Sequence, residues 1–484
     1  MKILKEKKLL QYAAVFILTA FCYTMFRLIA PSTTAGVKAA MGTLVLFAGI
    51  NILCSLKTKQ LTPESLVTTV ILAGIVMRIG YMLYTPCDVR SHDLWDFNTE
   101  DCGHAGYILT ILQDKMLPQT NTRQYYQQPF FYILGALVSA PVNAFLGSSD
   151  PYQLVDTVKI ISCSASCMTL LLSRSVCDEL ELKGWWRAAA ITFTAFHPAF
   201  YLSEGITPDM LSTLLMTIAL VYTLRWEKTP DWKNTVILAF TYGFAVMTKL
   251  SATAAAVFTA FIFLLKFTEL MKEKKAGTIV PKLLVFIAVS FPMGLWYSIR
   301  NYRKFAQPFV YIDVPGDISL DTSEHSYFSR LLLPDLKNLF TEVYTNVCSD
   351  YSIWTYMIKS SVFGEFSFSI YSVIPGILLM AAVALTVPVL AGIISGAAKY
   401  RKKDTQFFTA IAVLVFMASI LFFYYKYPYG CSMDFRYMTF MVIPAAALAG
   451  KYCSEKHGSK TGTLYASALG VYSVFSCLMY TMLQ

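Results

Sequence analysis

The sequence predicts an all-α integral membrane protein with about thirteen transmembrane helices. Three observations predict it. Apolar residues make up 56% of the chain and charged residues only 14%, against roughly 45–50% and 25% in soluble domains. Runs of about 20 apolar residues recur, each long enough to cross a hydrocarbon core of about 30 Å. The basic residues fall in short clusters between those runs.

That clustering accounts for the net charge of +10. Lys and Arg held in short loops fix orientation by the positive-inside rule. No nucleic-acid motif accompanies them, so no nucleic-acid partner is expected. The N-terminal stretch Met1–Lys8 is basic, and the apolar run that follows, Leu9–Ala30, is too long for the core of a signal peptide and lacks a small-residue cleavage site. It reads as a retained first span with the N-terminus in the cytoplasm.

Spans are expected at 10–30, 37–55 and 64–84, with Lys57 and Lys59 on the cytoplasmic side. The third delivers the chain outside at Tyr84, into a polar loop over 85–129. Further spans are expected at 153–174, 187–203, 208–226, 235–248, 250–267, 282–300, 369–395, 405–425, 437–452 and 461–482, with basic clusters such as Arg401–Lys403 inside. The apolar segment 130–147 is short and carries Pro141, and counting it as a crossing would put Lys183 on the wrong side. It is therefore assigned to the outer interface. A second external segment, 303–368, is rich in Tyr and Phe and is expected to form short helices over the membrane face. No internal repeat or low-complexity tract is present.

The eleven cysteines lack zinc spacing. Cys163 and Cys167 read as packing residues within an apolar run. Disulfides Cys87/Cys102 and Cys348/Cys431 in the external segments stay open, because sequence does not assign connectivity.

The polar residues on the external side carry the chemistry. The first loop holds Asp88, His92, Asp93, Asp96, Glu100, Asp101 and His104. A single loop carboxylate is ordinarily plain solvation, but this loop faces other unusual groups. Glu204 and Pro208-Asp209 open a long apolar helix, where a proline and a carboxylate also make ordinary helix-start chemistry. Lys249 lies between two short apolar segments; it can snorkel to headgroups or meet an anion. Arg78 sits about two turns inside the third span, where an ionisable residue is costly. Arg300, Arg303 and Arg436 add external cations. Carboxylates and cations beside apolar walls suit a ligand with a phosphate head and a lipid tail, with a carboxylate to deprotonate an incoming hydroxyl. A divalent metal on His92, Asp93, Glu204, Asp209 or His104 stays open, since no pair has a diagnostic spacing.

Eight motifs occur in order from about Ile71 to Gly450: Arg90-Ser-His-Asp93, Gly103-His-Ala-Gly-Tyr-Ile108, Leu117-Pro118, Tyr126-Gln-Gln-Pro129, Thr207-Pro-Asp209, Gly243-Phe-Ala-Val-Met-Thr-Lys249, Trp296-Tyr-Ser-Ile-Arg-Asn301-Tyr and Arg436-Tyr437. In this order and topology the chain resembles the GT-C membrane glycosyltransferases, above all the protein O-mannosyltransferase and aminoarabinose-transferase branch (glycosyltransferase family 39 and relatives). The resemblance implies a GT-C fold over 61–484, with 1–60 as an extra transmembrane hairpin. It also implies a polyprenyl-phosphate sugar as donor, a hydroxyl on a protein, glycolipid or envelope polymer as acceptor, inversion at the anomeric centre, and an acidic base in the first external loop. By motif, Asp93 is that base, with Asp88 second, and Asp209 is the second acidic position. Lys249, Arg300 and Asn301 surround the donor phosphate. Where relatives often carry His-Pro-Pro or Glu-Lys-Pro, this chain has Gln127-Gln128-Pro129. Glutamine is a poor metal ligand, so Gln127 and Gln128 are expected to hydrogen-bond sugar or acceptor hydroxyls, beside Tyr126. The expectation is thus a glycosyltransferase at the extracytoplasmic membrane face. The alternative is a lipid or small-anion transporter, against which stand the one-sided polar residues and the missing repeat.

Overall fold

A computed structural model describes residues 2–29, 34–95, 103–309, 311, 321–339, 350–366, 373–456 and 458–482, with side chains from residue 9 onward. Asp96, Glu100, Asp101, Cys102 and Cys348 lie outside the described residues, and with them one cysteine of each disulfide pairing left open by the sequence.

The described chain is α-helical, with short 3₁₀ turns and an isolated bridge between Asp321 and Tyr429. In order, the helices are α1 Lys2–Ile29, α2 Thr34–Lys57, α3 Pro63–Tyr84, α4 His104–Asp114, α5 Phe130–Leu146, α6 Pro151–Asp156, α7 Lys159–Glu179, α8 Gly184–Phe196, α9 Pro198–Leu202 and α10 Asp209–Lys228. There follow α11 Trp232–Thr248, α12 Ala252–Lys272, α13 Val280–Phe305, α14 Tyr327–Leu331, α15 Leu336–Leu339, α16 Ile353–Phe363, α17 Val373–Ala397, α18 Thr405–Lys426, α19 Thr439–Glu455 and α20 Lys460–Met482.

Every expected span falls on helical chain, with 153–174 divided between α6 and α7 and 187–203 between α8 and α9. Among the described residues nine helical stretches are both long and apolar enough to cross a membrane, fewer than the expected thirteen. The four that fall short are α8, α10, α11 and α19. Helices α11 and α19 have seventeen residues each, which reach about 25 Å at 1.5 Å per residue. Serines, threonines and charged ends dilute α10. The segment expected at 187–203 is cut at His197, whose backbone is extended (φ −78°, ψ 118°). Pro198 follows it, and a proline drives the preceding residue out of the helical region. The segment at 130–147 is the short apolar helix α5, closed by Gly147 in the left-handed conformation. Three short helices, α14 to α16, occupy the second polar segment, as expected.

The chain divides into two interleaved compact units. The first comprises Met1–Thr33, Thr85–Thr169 and Ser203–Val314, and so contains α1, α4 to α6 and α10 to α13. The second comprises Thr34–Tyr84, Leu170–Leu202 and Pro315–Gln484. Helix α1 thus belongs to the first unit and α2 to the second.

In the first unit, α11 and α13 meet at glycines: a Cβ on Gly243 would lie 2.8 Å from that of Met293, and one on Gly294 3.0 Å from that of Val246. Small residues let membrane helices approach closely. That contact carries α13, with Tyr297, Ser298, Arg300 and Asn301, to the candidate site. Helix α6 starts at Asp150, which accepts a hydrogen bond from the Gln153 amide, with Pro151 at the first helical position.

In the second unit, the break at His197 leaves the last carbonyls of α8 without helical partners. Arg78, fully buried on α3, supplies them. Its guanidinium donates to the carbonyls of Ala195 at 2.7 Å, Thr194 at 3.0 Å and Gly74 at 3.0 Å. A cation at the negative end of a helix is favourable, and Tyr201 and Ser476 donate to Ala195 and Phe196 there as well.

Candidate active site in the first unit

The acidic loop begins at Thr85 and is fixed at both ends. At its root, the Lys159 ammonium donates to the Thr85 carbonyl at 2.6 Å, and Arg90 donates to the Thr85 hydroxyl at 3.4 Å. At its far end the carbonyls of Asp93 and Leu94 accept the amides of His104 and Ala105, each at 2.9 Å. Two first-turn donors of α4 are thereby satisfied by the loop itself. Asp93 adopts a left-handed conformation (φ 51°), which aspartate tolerates better than most residues. Its side chain is exposed, and so is that of Asp88.

Gly103 makes this arrangement possible. Its φ is +136°, and a Cβ there would stand 2.4 Å from the Leu94 carbonyl oxygen and 2.9 Å from that of Asp93. Gly103→Ala should therefore push the Asp93 turn off α4 and destabilise the fold by about 1–3 kcal/mol. Thermal unfolding in detergent measures this, and an unchanged midpoint would refute the strained contact.

Behind the loop lies a cluster of buried tyrosines. His104 Nδ1 is 2.7 Å from the Tyr132 hydroxyl, which donates to the Gln127 side-chain oxygen at 3.1 Å. The Tyr132 and Tyr107 rings stack at 3.9 Å. Tyr107 donates to the Tyr297 hydroxyl at 2.8 Å, and Tyr297 to the Tyr125 carbonyl at 3.1 Å. Gln128 is buried and donates to Ser298 at 2.9 Å. Burial holds the Tyr132 phenol well above its usual pKa, and Tyr126, Asp209, Tyr297 and Asp93 push it further in the same direction. Asp93 and Asp209, 116 positions apart in the sequence, thus act electrostatically on one hydroxyl.

Asp209 stands in the first turn of α10, directly after Pro208, and forms an ion pair with Lys249. Their side chains are 4% and 19% exposed. Lys249 ends α11 with an extended backbone (φ −156°, ψ 131°), so the gap between α11 and α12 presents its ammonium. The amide of Lys249 still donates to Ala245 at 2.9 Å.

Arg300 and Asn301, expected at the donor phosphate, hold protein groups. Arg300 donates to the Pro118 carbonyl at 2.7 Å and to the Asn301 side-chain oxygen at 2.8 Å. Asn301 reaches the Tyr126 carbonyl at 3.5 Å and Gln307 at 3.3 Å. Both residues clamp the 118–126 loop, and Tyr126 packs edge-on against Tyr311. Glu204 is buried, His92 half-buried and Arg303 exposed. Among the described residues His92, Asp93, Glu204 and Asp209 form no group of three with ligand atoms close enough to share an ion. Arg78 and Arg436 belong to the second unit; there Arg436 pairs with Asp434 at 3.2 Å and donates to the Tyr437 hydroxyl at 3.0 Å.

Tyr107, Tyr132 and Tyr297 are functional-site candidates that the sequence does not single out. Tyr107 and Tyr297 lie inside recognised motifs, but tyrosine on an apolar helix ordinarily reads as core. Asp156 and Lys159, two ionisable residues at the start of an expected span, were a legible signal.

No protein-family model matches the chain, and no curated protein matches its sequence. Solved structures do. The apo oligosaccharyltransferase of Archaeoglobus fulgidus is 12% identical, with 86% of this chain and 56% of that one covered and a TM-score of 0.45. The archaeal oligosaccharyltransferase AglB from the same organism, in complex with an inhibitory peptide and a dolichol-phosphate, is also 12% identical, with coverage of 86% and 55% and a TM-score of 0.44. ArnT from Cupriavidus metallidurans, bound to undecaprenyl phosphate, is 15% identical, with coverage of 81% and 78% and a TM-score of 0.35. The chain spans little more than half the length of the archaeal oligosaccharyltransferases.

Proposed function

We propose that the protein is a membrane glycosyltransferase that moves a sugar from a polyprenyl-phosphate donor to an acceptor hydroxyl at the extracytoplasmic face, with the N-terminus in the cytoplasm. The observation that carries this reading is one buried cluster that takes in Leu94, next to the exposed Asp93, the Tyr107 and Tyr132 rings, and Leu211 in the first turn of α10, where Asp209 pairs with Lys249. A base needs an accessible carboxylate held on a fixed backbone, and Asp93 meets both requirements. An ammonium has three donors, so Lys249 can keep Asp209 and still reach a phosphate oxygen.

In the reaction the acceptor oxygen attacks the anomeric carbon as its proton passes to the Asp93 carboxylate. The bond from the anomeric carbon to the phosphate oxygen breaks, and its electron pair leaves with the polyprenyl phosphate. Attack opposite the leaving group inverts the anomeric centre. Lys249 stabilises the charge that grows on the phosphate. Arg300 and Asn301 act indirectly, by holding the 118–126 loop.

The test incubates purified protein with radiolabelled polyprenyl-phosphate sugars and a membrane extract that supplies acceptors, with and without EDTA. Label should move to acceptor with inverted configuration, and the EDTA arm reports any metal requirement. Translocation of intact donor across proteoliposomes, with no bond cleaved, would contradict the proposal and favour a transporter.

A further inference from the structure

Helix α1 lies before the region that carries the motif resemblance, and it docks on its unit through a narrow stripe. Of its described residues only Val15, Thr19 and Tyr23 are buried, at a spacing of four that lines one helical face. Val15 and Thr19 make apolar and intrahelical contacts: the Thr19 hydroxyl donates to the Val15 carbonyl at 2.8 Å. Tyr23 is different. Its hydroxyl donates to Asp156 Oδ2 at 2.7 Å and lies 3.4 Å from the Thr157 hydroxyl. Asp156 Oδ1 pairs with Lys159 at 2.6 Å, and Lys159 donates to the Thr85 carbonyl at 2.6 Å. Thr85 is the first residue of the acidic loop, and its hydroxyl receives Arg90. The Thr157 hydroxyl donates to Asn143 on α5 at 2.7 Å.

From this we infer that Tyr23 is a positioning residue for the acidic loop and acts through Asp156 and Lys159; as to catalysis, the inference rests on the proposed function. The chain of contacts is continuous, and each link is buried. A buried carboxylate and ammonium hold their geometry only while their remaining hydrogen-bonding capacity is met. Tyr23 meets that of Asp156. Its loss leaves Asp156 Oδ2 short of a donor, so the Asp156–Lys159 pair re-orients and Lys159 leaves the Thr85 carbonyl. The root of the loop then moves, and Asp93 moves with it. The N-terminal helix thereby becomes part of the site's frame.

Hydrogen exchange of the full-length protein in detergent tests the relay without reference to activity. Tyr23→Phe removes only the hydroxyl. The amides of Val89, His104 and Ala105, which donate to Pro86, Asp93 and Leu94, should exchange about tenfold faster, as expected for loss of one buried hydrogen bond. Segments within α10 to α13 should be unchanged. Asp156→Asn is the second variant; it keeps an acceptor for Tyr23 but ends the ion pair, and should loosen the same amides. Wild-type exchange in both variants would overturn the inference. Acceleration spread evenly over the chain would overturn it too, since the relay would then be a general strut. In the transfer assay Tyr23→Phe should lower kcat about tenfold, since a small misplacement of reacting groups is enough, with donor affinity within about twofold. Loosened loop amides in the two variants, together with a wild-type protein that transfers no sugar, would sink the proposed function and leave the relay standing.

Discussion

Asp93→Asn should abolish sugar transfer while leaving donor binding nearly intact. The substitution keeps the size of the side chain, and the backbone contacts that hold the turn involve carbonyls of the main chain: the Asp93 and Leu94 oxygens accept from His104 and Ala105 whatever the side chain is. What disappears is the proton acceptor. General base catalysis contributes about 10²–10⁴ in rate, so kcat should fall by about that factor, with donor affinity within about twofold. Asparagine also tolerates the left-handed backbone of Asp93 (φ 51°), so the variant should fold. Transfer assays beside equilibrium binding of labelled donor measure the split. Wild-type turnover would remove Asp93 as base, and Asp88→Asn would be the next variant to make.

The second large effect concerns the Asp209–Lys249 pair. Lys249→Met takes the ammonium away from a carboxylate only 4% exposed. Removing one member of a buried pair costs about 3–5 kcal/mol, because the other charge stays buried without compensation. The fold should lose about that much stability, and transfer should fall with it. The double variant Asp209→Asn/Lys249→Met removes both charges and should regain a large part of the stability, though not the activity. Non-additivity of this kind is what a double-mutant cycle detects. Thermal or denaturant unfolding in detergent provides the measurement. With Asp209→Asn measured as well, a loss in the double variant equal to the sum of the two single losses would mean that the two side chains do not interact.

Much of the fold was legible because apolar length is a local property. The runs at 64–84, 405–425 and 461–482 became Pro63–Tyr84, Thr405–Lys426 and Lys460–Met482. The short apolar segment at 130–147 became α5, its Pro141 inside the helix. At 187–203 a local rule divides the expected span: Pro198 ends α8 at His197, so the stretch is a short helix and a second piece. Arg78 shows the limit of reasoning from cost alone. An arginine within a span does demand partners, but its partners are the carbonyls that this same break sets free.

The site divides along similar lines. The sequence pointed to Asp209 and Lys249 as separate groups, and the structure pairs them. Arg300 and Asn301 were expected at a phosphate; that they also hold a loop was not legible, because a carbonyl such as that of Pro118 leaves no trace in the sequence pattern. The Tyr23–Asp156 contact joins residues 133 positions apart. No periodicity encodes such a pairing; it follows only when α1 and α6 are packed together.

The most direct test is a cryo-electron microscopy structure of the protein with a polyprenyl-phosphate sugar bound. The lipid phosphate should lie in contact with the Lys249 ammonium, and the anomeric carbon should face Asp93. Donor density far from Lys249, or Asp93 and Lys249 on opposite sides of the membrane, would contradict the account.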